Sequence, residues 1–128
     1  MGKSTTTDNV ELLRMGHELL GSKFRGVFAS DENPALSKTK PYAIINTKPR
    51  NSGGEHWVAI ALTPSRQIMH YDSFGRSAKK LFPGKFKKGV IDTEDDVEQR
   101  NDATNCGQRS LAWLLVFDKL GASAAKTI

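Results

Sequence analysis

A single cysteine, Cys106, stands in a chain of 128 residues. With no second thiol, an internal disulfide framework is excluded, and neither secretion nor oxidation is needed to explain the fold. No apolar run approaches the roughly 18 residues that a membrane-spanning helix requires. The polar N-terminus lacks the pattern of a signal peptide. A protein that is not secreted and has no membrane partner is therefore expected. Repeats and low-complexity runs are missing as well. One core-bearing domain is expected over residues 1–128, with 1–7 and 121–128 as loose termini.

Charge of one sign is missing locally, which says more than the net charge of +5. Between Ser73 and Ile91 there is no acid but six bases: Arg76, Lys79, Lys80, Lys85, Lys87 and Lys88. The next seven residues, Asp92 to Glu98, carry five acids and no base. The basic block is the expected nucleic-acid patch, with the acidic run as an opposing or regulatory loop. Two solvated segments that neutralise each other account for the same pattern.

Among what is present, Val10, Leu12, Leu13, Met15, Leu19 and Leu20 recur at helical spacing behind an Asp8–Glu11 capping arrangement, and Gly21 stands where such a helix stops. His17 falls on its polar side. Phe24 to Lys40 reads as loop, pinned by Phe24, Val27 and Phe28. YAIIN (42–46) reads as a strand. His56 opens a second strand, HWVAIAL, which the TPSRQ turn joins as an antiparallel hairpin to IMHYD, ending at Asp72. Residues 73–88 read as irregular, with a short helical piece at RSAKKLF, and Gly89 to Asp92 as an edge strand. From Ser110 onward Leu111, Leu114, Leu115, Phe117 and Leu120 predict a buried helix ended by Gly121. The fold class is α+β: a small antiparallel sheet with this last helix packed on it.

Cys106 lies at the mouth of that helix, where free N–H groups and the helix dipole favour the thiolate, and Gly107 leaves room for an approaching backbone. Taken alone, a lone cysteine is more often a small buried hydrophobe. A thiol nucleophile needs a base and a group that orients the base. In the hairpin, His56 and Asp72 end adjacent antiparallel strands and lie side by side, so the carboxylate reaches the imidazole. His70 is the rival base. Acyl transfer also needs donors for an oxyanion; the Cys106 N–H supplies one and the Gln99 amide another, with Gln108 as competitor.

The order His56, Asp72, Gln99, Cys106, with AIINT (43–47), GGEHWVAIAL (53–62), DSFG (72–75) and the Gln99-to-Cys106 spacing followed by Gly107, resembles the adenovirus maturation protease family and its relatives, the SUMO-specific proteases. The resemblance implies a cysteine endopeptidase in which His56 is the general base, Asp72 orients it, Cys106 attacks and Gln99 serves the oxyanion. It places Trp57 beside the imidazole, closing the site, with Asn46, Gly53, Gly54 and Gly107 along the substrate cleft. It implies a monomer that cleaves viral capsid or core precursors at glycine-rich sites, in the virion or in the host cytoplasm or nucleus. It needs no metal and no cofactor, with DNA as a stimulating partner. The source implied is a virus, virophage or related mobile element. One cysteine leaves none to hold an activating peptide by a disulfide. A deconjugating isopeptidase for ubiquitin-like proteins would use the same four residues; a basic nucleic-acid-associated protein with a structural cysteine would need none of them.

Overall fold

A computed structural model describes residues 9–47, 56–73, 75–86, 89–93 and 106–126. In chain order these form helix α1 (Asn9–Leu20), strands β1 (Phe24–Phe28), β2 (Tyr42–Asn46), β3 (Trp57–Leu62) and β4 (Ile68–Tyr71), helix α2 (Ala78–Leu81), strand β5 (Ile91–Asp92), and helices α3 (Cys106–Leu120) and α4 (Ala122–Lys126). The strands make one sheet in the order β1-β2-β3-β4-β5. Its centre, β2-β3-β4, is antiparallel as expected. Both edges are parallel to their neighbours, which the sequence reading did not anticipate.

Both faces of this sheet are covered, which is why its central strands read as nearly continuous apolar runs. With side chains alternating across the pleat, Trp57, Ala59 and Ala61 of β3 join Tyr42, Ile44, Met69 and Tyr71 beneath α3. Val58 and Ile60 face the other way, into a smaller core with Ala43, Ile45 and Phe82. The small side chains of Ala59 and Ala61 leave room for α3, which buries Leu111, Trp113, Leu114 and Phe117. Trp113 stacks on Tyr71 with ring centroids 5.5 Å apart.

Three expectations change. Residues 24–28, read as loop, form β1. The register shifts between Phe24 and Gly26, and Gly26 has φ +144°, so the alternation by which a strand is recognised is broken within five residues. Residues 122–126, read as tail, form α4. Its signal is small side chains rather than large apolar ones, but Ala125 is buried and its carbonyl accepts the Trp113 indole N–H at 2.9 Å. In α1 only part of the apolar rhythm points inward: Leu12, Gly16 and Leu20 are buried, while Val10, Leu13 and Leu19 are exposed. Gly16 is buried because Phe24 lies across it; a Cβ there would come within 2.5 Å of the ring. The Gly21 stop holds, at φ +64°, and the chain turns through a single 3-10 turn over Gly21–Lys23 before β1.

Candidate active site

His56 stands just before β3, and its carbonyl accepts the Thr47 N–H at 2.9 Å, so the β2–β3 ladder reaches the imidazole-bearing residue. Asp72 stands just after β4, in a turn closed by the Gly75 N–H on its own carbonyl at 2.8 Å. Gly75 takes φ +78°, a left-handed conformation that a side chain would disfavour. The hairpin thus sets the two residues side by side, and His56 Nε2 hydrogen-bonds Asp72 Oδ1. Cys106 is the first residue of α3, and its thiol hydrogen-bonds His56. Since Nε2 is engaged by Asp72, Nδ1 is the ring nitrogen left for sulfur. The Trp57 N–H donates to Sγ at 3.4 Å from the other side.

Electrostatics follow this geometry. Burial by itself would raise the Cys106 thiol, but hydrogen bonds from His56 and from the Trp57 and Gly107 N–H groups, with the charge on the imidazole, bring it below its ordinary value. Burial would lower the His56 imidazole; hydrogen bonds to Asp72 and Cys106 outweigh that and raise it. Burial would also raise Asp72, yet the hydrogen bonds from His56 and Arg76 hold its carboxyl well below the carboxylate range. Lowering the thiol and raising the imidazole both move the pair toward thiolate and imidazolium, the reactive form of a cysteine nucleophile.

The structure brings Cys106, His56 and Asp72 together; Gln99, Gly53 and Gly54 lie outside the described residues. Asn46 and Gly107, expected along the substrate cleft, and Trp57, expected to close the site beside the imidazole, are buried. Trp57 belongs to the helix-side core, and a Cβ on Gly107 would sit 2.8 Å from Leu12 Cδ2 and 3.2 Å from Trp57 Cδ1. Gly107 is small so that α3 can close onto α1 and β3. The rival base, His70, is fully buried, its Nδ1 is 3.0 Å from Asp92 Oδ1, and its ring packs on Phe82 in the smaller core, away from Cys106.

Within the basic block, Lys79 and Lys80 of α2 are exposed, and Lys87 and Lys88 lie outside the described residues. Arg76 and Lys85, read as part of the nucleic-acid patch, turn inward. Arg76 Nε donates to Asp72 Oδ2 at 2.8 Å, and Lys85 Nζ donates to the carbonyls of Ser30 and Glu32 at 2.9 and 2.6 Å. A count of local charge cannot tell which lysine or arginine is needed by a neighbouring carbonyl or carboxylate. Ser110 was missed altogether: fully buried one turn below the nucleophile, it donates to the Trp57 carbonyl at 3.1 Å.

A thiol at a helix N-terminus, paired with an imidazole that a buried carboxylate orients, on an α+β sheet, is the constellation of a thiol hydrolase. Residues 24–88, half of the chain, match the family model of the adenovirus endoprotease. The protease of Porcine adenovirus A serotype 3 is 37% identical over 73 residues, covering 56% of this chain and 36% of the relative. That of Avian adenovirus 8 is 36% identical over 81 residues, covering 62% and 40%, and that of Equine adenovirus B serotype 2 is 45% identical over 47 residues, covering 36% and 23%. The chain belongs to the adenovirus endoprotease family, a family of cysteine proteases. It spans about two-fifths, or less, of the length of these relatives.

Proposed function

We propose that this chain is a viral cysteine endopeptidase that processes capsid or core precursor proteins at glycine-rich sites during virion maturation. The observation that carries the reading is the Cys106 thiol held between the Trp57 N–H and a His56 whose far nitrogen is bound to buried Asp72. In this reading the thiolate attacks the scissile carbonyl, and the tetrahedral oxyanion is met by the Cys106 N–H and the Gln99 amide. The imidazolium gives its proton to the leaving amine as the C–N bond breaks, leaving a thioester. Neutral His56 then takes a proton from water, whose oxygen attacks the thioester and releases the acid and the thiol. Asp72 keeps the imidazole in the tautomer and orientation that both steps need.

Protein precursors are the substrates, and the enzyme acts as a monomer in the virion or in the infected cell. DNA is a further partner, met by the exposed Lys79 and Lys80 together with Lys87 and Lys88. A peptide-based thiol electrophile should label Cys106 in the active protein and abolish cleavage of a glycine-containing precursor peptide. Cys106→Ala should neither label nor cleave. His56→Ala should be nearly as inactive, and the double variant no worse, because the two act as a unit. Cleavage by Cys106→Ala would end this reading.

A further inference from the structure

Asp72 has two carboxylate oxygens, and the catalytic scheme uses only one. Oδ1 faces His56 Nε2. Oδ2 receives Arg76 twice, from the backbone N–H at 3.0 Å and from Nε at 2.8 Å. Both donors arrive because of the turn after β4: once the Gly75 N–H closes on the Asp72 carbonyl, the next residue's N–H and side chain point back at the carboxylate. The Asp72 side chain is fully buried, whereas that of Arg76 is 34% exposed, so the arginine reaches a buried carboxylate from the protein surface.

We infer that Arg76 is a positioning residue for the proposed reaction, clamping Oδ2 of Asp72 so that Oδ1 stays on His56 whether the imidazole is charged or neutral. Two physical effects require such a clamp. A carboxylate held on one oxygen alone can rotate about its Cβ–Cγ bond, which has a broad torsional profile, and a rotated Oδ1 releases the imidazole. Further, once His56 has given its proton to the leaving amine, a fully buried carboxylate would face a neutral ring, and an uncompensated buried charge is costly. Arg76 supplies the compensating charge at that stage. It also tempers the attraction of Asp72 for the imidazolium, so the proton remains transferable.

The charged or titratable groups that face this carboxylate among the described residues are His56, from the start of β3, and Arg76 of its own turn, with Cys106 of α3 beyond the imidazole. The nearby His70–Asp92 pair is engaged within itself and with the Ala78 N–H.

The inference rests on Cys106, His56 and Asp72 being the catalytic set, and the test separates the two ideas. Cys106 alkylation by iodoacetamide and kcat/KM on a precursor peptide are measured against pH for the wild type, Arg76→Ala and Arg76→Lys. In Arg76→Ala, kcat should fall on the order of 10-fold, the equivalent of one charge-assisted hydrogen bond, with KM little changed. Its alkaline limb, the loss of the imidazolium proton, should move to higher pH because a cation has left the vicinity. Arg76→Lys keeps the cation without the Nε–H fork, so its limb should move less while kcat stays depressed. Where Arg76→Ala does not fold, the Arg76→Lys kcat and limb decide. Unmoved limbs and an unchanged kcat in the folded variants would overturn the clamp. An ordinary thiol profile in the wild type would instead overturn the catalytic set beneath it.

Discussion

Ser110 and Cys106, one helical turn apart on α3, hold the two ends of one peptide unit pair: the Trp57 N–H donates to Cys106 Sγ at 3.4 Å, and the Ser110 hydroxyl donates to the Trp57 carbonyl at 3.1 Å. The helix is therefore keyed to β3 by the same residue whose N–H meets the sulfur. Ser110→Ala leaves a buried carbonyl without its donor and should cost about 1–3 kcal/mol in denaturant unfolding. It should also lower Cys106 alkylation at neutral pH, because the thiol drifts from the Trp57 N–H. An unchanged alkylation rate with normal stability would show that the key is dispensable.

Asp72→Asn should fold and yet be severely impaired, because an amide cannot enforce the imidazole tautomer that the carboxylate sets. Gln99→Ala should lower kcat by roughly 10²–10³-fold, the loss expected for one oxyanion donor. Steady-state kinetics on the two variants test both. A greater loss in Gln108→Ala than in Gln99→Ala would reassign the donor.

The pH dependence follows from the directions of the shifts. Cys106 is lowered and His56 raised, and both shifts favour the ion pair. Activity should be bell-shaped, with its acid limb below the ordinary thiol value of about 8.5 and its alkaline limb above the ordinary imidazole value of about 6.5. Asp72 is depressed on folding, so its contribution to stability is complete above about pH 4 and is lost as the pH falls through its lower folded value. Unfolding midpoints measured from pH 7 downward should begin to drop below about pH 4, and less so in Asp72→Asn.

Gly16→Ala places a methyl carbon within 2.5 Å of the buried Phe24 ring. Despite the better helix propensity of alanine, about 1–3 kcal/mol of stability should be lost to overpacking. Thermal unfolding measures it. A stabilised variant would mean that α1 shifts freely on β1, contrary to the close contact seen.

If Lys79, Lys80, Lys87 and Lys88 engage phosphates, the slope of log affinity against log salt for a short duplex should be on the order of −3 to −4. Lys79→Glu with Lys80→Glu should flatten it by about 2 and spare cleavage of a short peptide. Lys85→Ala should leave the slope alone, since its ammonium is bound to the Ser30 and Glu32 carbonyls. Fluorescence anisotropy at low and moderate salt decides, and no binding at low salt would end the nucleic-acid idea.

How far the site could be read in advance depended on the range of the forces involved. The hairpin from Trp57 to Tyr71 announces itself by apolar runs flanking a turn, and with it the juxtaposition of His56 and Asp72. The helix at Cys106 announces itself by periodicity. Nothing local marks Ser110, whose partner lies in β3, or Gly16, whose size answers to Phe24 across a turn. Arg76 was hidden in a different way, since its sequence neighbours are basic and a charge count groups it with them. Only the backbone course after Asp72 separates it from the lysines.

The site is also staggered in time. His56 and Asp72 belong to one hairpin, and local contacts of this kind form early. Cys106 meets Trp57 only after a far longer stretch of chain has been closed, 49 residues apart in sequence. The three side chains therefore meet only where α3 docks on the sheet, so the geometry of the site depends on that long-range contact as much as on the hairpin.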